Sequence, residues 1–128
     1  MIVHLFERIE SPAFHAQLGV ISGFALFVRA LAETPEVQDL TRAALTAEAR
    51  NALYQRILEV SRRPVDPEFE NPWDIALSAY LWALNQQDPS LALAAAEAVV
   101  QTEDCWWAKK IGLNIIEAAR VHAASEKA

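Results

Sequence analysis

At Ser11-Pro12, Thr34-Pro35, Asn71-Pro72 and Asp88-Pro89 the chain sets a residue able to cap a helix directly before a proline. Proline is tolerated in a first helical turn because the N–H it lacks would be unpaired there, and the preceding side chain supplies an oxygen to the neighbouring N–H groups. Between these marks run blocks rich in alanine and leucine, with three glycines in the whole chain and no Gly/Asn turn pairs or β-branched alternation. A chain punctuated in this way reads as all-α. Five to seven antiparallel helices joined by short loops are expected, arranged as an orthogonal bundle or a short helical-repeat-like layer.

With 128 residues, 53% of them hydrophobic and 22% charged, the chain has the length and composition of one globular domain rather than of a disordered segment. It divides into an N-terminal helical half (1–63), a proline-rich linker (64–72) and a three-helix half (73–122). In the first half, residues 1–10 give a weak helical pattern. A helix is expected from Pro12 to about Ala32, apolar nearly all round, with Phe14, Leu18, Ile21, Ala25 and Val28 on one side and Val20, Phe24, Phe27 and Leu31 on the other. It carries Gly19 and Gly23 at G-x-x-x-G spacing, which suits close approach of two helices within a core or across a homodimer. The apolar run from Ala16 to Val28 is interrupted by Gln17 and Ser22 and falls short of the about 20 residues that cross a bilayer, so no membrane span is expected. Residues 35–62 fit either one long helix or two, the second capped by Thr46, and Arg62-Arg63 before Pro64 marks the end.

The stretch 71–119 holds all four tryptophans, Trp73, Trp82, Trp106 and Trp107, and the one cysteine, Cys105. Asn71-Pro72, Asp88-Pro89 and Asp104-Cys105 mark three helix starts. Trp73, Leu77, Leu81 and Leu84 form one apolar face, Ile75, Ala79 and Trp82 the opposite one, so the first of these helices is expected to be sandwiched. Trp107, Ile111, Ile115 and Ala118 repeat the first face. The offset of 34 equals a tetratricopeptide helix pair, with Trp73 and Tyr80 in its aromatic positions. Leu77 stands where that family has a small residue and no second unit follows Trp107, so the spacing speaks for stacked antiparallel helices rather than for membership.

The net charge of −6 is carried by the second half, since residues 1–63 balance their arginines against their acids. An acidic half repels phosphate backbones and argues against nucleic acid and for a basic protein partner. His4, His15 and His122 are far apart and no second cysteine exists, so neither a metal site nor another cofactor is expected. Cys105, behind Glu103 and Asp104, reads as a buried small residue rather than a nucleophile, and no catalytic residue is assigned. A cytoplasmic location is the default in the absence of a leader-like start or paired cysteines.

If consecutive helices are antiparallel, the starts near 71–74 and 103–105 share one edge. That edge would gather Glu68, Glu70, Trp73, Asp74, Glu103, Asp104 and Trp106. Acids at helix starts are ordinary dipole partners, but Trp106 faces the direction of Lys109, Lys110 and Leu113 and is the tryptophan expected to be exposed. The reading is a non-catalytic interaction or adaptor protein, in one form an inhibitor or immunity-like protein, that binds a basic partner through this edge. Self-association through Gly19 and Gly23 is a second form. The alternative is an apolar-ligand binder or enzyme with a pocket between the Phe-rich first helix (Phe14, Phe24, Phe27) and the tryptophan helices.

Overall fold

The computed structural model describes residues 2–63, 73–102 and 105–127. Capping signals within them start helices. Ser11 Oγ accepts from the Phe14 N–H at 3.3 Å, Thr46 Oγ1 from Ala49 at 3.1 Å and Asp88 Oδ1 from Leu91 at 3.1 Å. Thr34 holds the fourth capping position differently, its hydroxyl donating back to the Ala30 carbonyl at 2.5 Å. The helices are α1 (Ile2–Ile9), α2 (Pro12–Leu18), α3 (Phe24–Glu33), α4 (Pro35–Ala43), α5 (Ala47–Ser61), α6 (Asp74–Gln87), α7 (Pro89–Val99) and α8 (Trp106–Lys127). The described residues are thus all-helical without strands, and contain eight helices rather than five to seven. The expected linker, 64–72, lies outside them.

The count differs mainly because the helix expected over 12–32 ends at Leu18 and restarts at Phe24. Gly23 adopts φ +88°, ψ 140°, a region open essentially only to glycine, and it turns the chain. A continuous helix apolar on all sides would need cover all round. Broken, each piece buries one stripe: Phe14 and Leu18 from α2, Phe27 and Leu31 from α3. Val20, left in the break, is 96% exposed. Gly19 and Gly23 therefore flank a turn instead of lining one helix face, and the helical geometry on which the self-association expectation rested is not formed. Residues 35–62 resolve into two helices, with Thr46 as the cap of the second.

Helix α6 is the centre. It packs against α4, α5, α7 and α8, and Ile75, Ala76, Leu77, Ala79, Leu81, Ala83 and Leu84 are all buried. The buried residues of both halves form one cluster. Close approach by small residues does occur, between α7 and α8: a Cβ on Gly112 would lie 3.0 Å from Val100 Cγ1 and 3.4 Å from the Ala96 carbonyl oxygen. Of the repeated face, Ile111 and Ile115 are buried, whereas Ala118 is exposed because α8 runs on beyond the core. No described helix is long and apolar enough to cross a membrane.

One polar cluster lies inside this apolar frame. Glu10, in the turn between α1 and α2, takes Arg56 in two hydrogen bonds of 2.8 and 2.5 Å and Arg63 in a third at 3.3 Å. It also accepts the hydroxyl of the fully buried Tyr80. The Glu10 side chain is only 10% exposed. Burial raises its pKa, but the hydrogen bonds from Arg56 and Tyr80 and the charges of Arg56 and Arg63 outweigh that and hold it below its ordinary 4.5. Burial, then the bond to Glu10, pushes the Tyr80 phenol well above its ordinary 10.0.

Glu10→Ala would leave a buried hydroxyl unpaired and take the shared acceptor from Arg56 and Arg63, and should cost about 2–3 kcal/mol, the lower end for broken buried pairs because Arg56 keeps Glu59 and both arginines keep some solvent. Tyr80→Phe should cost about 1–2 kcal/mol. Urea denaturation measures both. The lowered Glu10 pKa stabilises the fold above pH 4.5, and that contribution is lost as pH falls through the folded value. The raised Tyr80 pKa acts oppositely: stability is intact below pH 10.0 and falls as pH rises past it. In the Glu10→Gln, Tyr80→Phe double variant the denaturation midpoint should depend less on pH at both the acid and the alkaline end.

Candidate functional site

Short connections make α6 and α8 start on the same side of the molecule, and Asp74 joins them. Standing in the first turn of α6, it accepts the Trp107 N–H at 3.0 Å through Oδ2 and the Ala108 N–H at 2.8 Å through Oδ1. A carboxylate is favoured there twice over, by the positive ends of two helix dipoles and by two N–H groups that no carbonyl of α8 can reach. Of the residues expected at the edge, the structure thus brings Trp73, Asp74 and Trp106 to the neighbouring starts of α6 and α8. Glu68, Glu70, Glu103 and Asp104 lie outside the described residues. Asp74 has a structural task at this edge, as the cap of α8.

The tryptophans divide by depth. Trp73 is half-buried, with the Arg63 guanidinium 4.1 Å above its ring and the His15 ring edge-on at 6.4 Å. Trp107 is stacked on Phe27 at 4.1 Å and on Phe24 at 6.2 Å, both from α3. Trp106 stands on Trp107 at 77°, their centroids 4.3 Å apart, and is 56% exposed. Lys110, one turn along α8, holds its ammonium 4.2 Å from the Trp106 ring and 5.6 Å from the Phe24 ring. Trp106 is therefore an exposed ring on a rigid aromatic base. The i, i+4 spacing of Trp106 and Lys110 is visible in the sequence; the participation of Phe24 is not, because it requires the turn at 19–23.

The space assigned by sequence to an apolar pocket, between the Phe-rich segment and the tryptophans, holds this stack: Phe27 and Trp107 are in direct contact. Open space lies elsewhere. A cleft of about 590 Å³ between α1, α4 and α5 is lined by apolar Ile2, Leu5 and Ala52 and by charged Asp39, Arg42 and Glu48. Another, of about 370 Å³, runs between α1 and α5 past Phe6 to the Glu10–Arg56 pair.

Other candidate chemistry is dispersed. Cys105 is buried, as its position before Trp106 suggested. His4 and His122 are exposed beside Glu7 and Glu126. His15 is half-buried: burial lowers its pKa, and Nε2 is enclosed without a hydrogen-bond partner. Among the described residues no three His, Cys, Asp or Glu side chains converge as a metal site would require. No protein-family model, curated protein or solved structure matches the chain.

The two kinds of residue at this edge should separate by mutation. Asp74→Ala removes two charge-assisted bonds and should destabilise by about 1–3 kcal/mol. Trp106→Ala, removing a mostly solvated ring, should cost less than about 1 kcal/mol. Thermal melts followed by circular dichroism measure both.

Proposed function

We propose that the chain is a small, non-catalytic interaction protein that docks a basic protein partner on the edge formed by the starts of α6 and α8, with Trp106 as its anchor. The observation that carries this reading is the exposure of Trp106 on an immobile base of Trp107, Phe24 and Phe27. A large aromatic side chain held in place before binding loses little conformational freedom on association, which is the property of residues that dominate interface energies. The acids Glu68, Glu70, Glu103 and Asp104 adjoin Trp73 and Trp106 in sequence and supply the charge preference, along with the −6 of the second half. Asp74 contributes by fixing α8 and with it Trp106. An inhibitor or immunity-like role is the form of this reading that suits a small acidic protein.

A second reading rests on the cleft between α1, α4 and α5. Its volume of about 590 Å³ and its largely apolar lining with a few charged groups are of the size and character that take a small ligand. Under that reading Trp106 is incidental.

Co-purification separates the two. Trp106→Ala should weaken capture of the partner by about 30-fold or more, the effect of truncating an interface anchor, with the melting temperature nearly unchanged. Glu68→Gln with Glu70→Gln should slow association and reduce its dependence on salt. Capture unaffected by Trp106→Ala would sink the edge and leave the cleft as the surface to pursue.

A further inference from the structure

The ammonium of Lys110 faces two aromatic rings at once, Trp106 from its own helix and Phe24 from α3. Phe24 lies within 14° of the Trp107 plane, and Trp106 stands at 77° to that plane, so the Trp106 and Phe24 planes are steeply inclined to each other. Two ring faces at such an angle form two walls of a corner whose negative π-surfaces converge on one point, and a cation occupies that point. The corner is firmly built, since Trp107 is held between Trp106 and the α3 rings and Asp74 fixes the first turn of α8. Its occupant is not. Lys110 reaches it on a flexible four-carbon stem from the partly exposed side of α8, and rotation of that stem would return the ammonium to water.

From this we infer that the Trp106–Phe24 corner is an aromatic cage for a methylated ammonium group, occupied in the resting protein by the chain's own Lys110. The inference rests on the proposed docking edge and names the chemistry that edge would recognise. Methylation is the discriminating property. A partner's primary ammonium would only exchange with that of Lys110, like for like. A methylated ammonium keeps the positive charge, is less strongly hydrated, and presents methyl groups to both rings, so it gains contact and sacrifices less solvation on entering. Lys110 thereby acts as a built-in competitor that keeps the rings covered and sets a threshold for entry. The overall charge of −6 attracts cations toward the protein at long range.

The probe is choline, with 3,3-dimethylbutan-1-ol as its uncharged counterpart of the same shape, titrated into the full chain labelled with ¹⁵N. The readout is the indole N–H signal of Trp106, identified by its loss in Trp106→Phe. Choline should shift that signal and bind at least about fivefold more tightly than the neutral alcohol, and Lys110→Ala should strengthen choline binding by about three- to fivefold by removing the competitor. Equal responses to choline and the alcohol would overturn the cage. So would Lys110→Ala leaving choline affinity unchanged or weaker. A peptide carrying trimethyllysine, compared with its unmethylated form, identifies the source: tighter binding than choline assigns the cage to a modified partner side chain, and affinity equal to choline assigns it to a free small cation. Because choline requires no partner protein, failure here leaves the effect of Trp106→Ala on partner capture intact, and a failure of partner capture leaves the choline result intact.

Discussion

The Glu10 carboxylate ties together pieces of chain that have little else in common. It sits at the end of α1, accepts from Arg56 within α5, from Arg63 just beyond that helix and from Tyr80 in the middle of α6, and so sets where α1 lies relative to the central helix. Phe6, one turn earlier, packs edge-on to Tyr80 at 5.3 Å and covers the cluster from water. Glu10 and its partners are mutually dependent: the acid is tolerated inside because three donors surround it, and Arg56 is ordered because the acid is there. The smaller α1–α5 cleft exists because this arrangement holds α1 beside α5 without filling the space between them.

A second carboxylate, Asp74, plays a comparable part. One carboxylate serves the starts of two helices, and through it the orientation of α8 is referred to the core helix α6. Trp107 then presses into the rings of α3 and Trp106 is left outward, its face covered by Lys110. Exposure of Trp106 is thus a consequence of how α8 is anchored. An exposed aromatic ring on a helix fixed by a half-buried carboxylate, with a cation over its face, is the observation on which the proposal for this edge, rather than for the larger cleft, rests.

Much of the helical plan was legible beforehand. Ser11, Thr46 and Asp88 act as caps within their own first turn, and Pro12, Pro35 and Pro89 lie just inside helix starts. The sandwiching of α6 followed from apolar residues on both of its faces, and the exposure of Trp106 from the direction it shares with Lys110 and Leu113. The break at 19–23 was not legible, because Gly19 and Gly23 suit a close helix crossing and a turn equally well. The deciding factor was which apolar stripe of the segment finds cover, and that depends on helices far along the chain. Nor does the sequence show that His15 is half-buried, since the Trp73 ring meets it only after folding.

By itself the sequence determined that this chain is helical, where most of its described helices begin, and which tryptophan faces water, because capping, proline geometry and apolar spacing act within a turn or two of backbone. Tertiary structure alone decided that the first apolar segment splits, that Glu10 joins residues 46, 53 and 70 positions away, and that Phe24 meets Trp106 around the Lys110 ammonium. Those contacts depend on the mutual placement of whole helices. A buried charge finds its donors, and an aromatic ring its neighbours, only when the shared core has fixed where each helix lies.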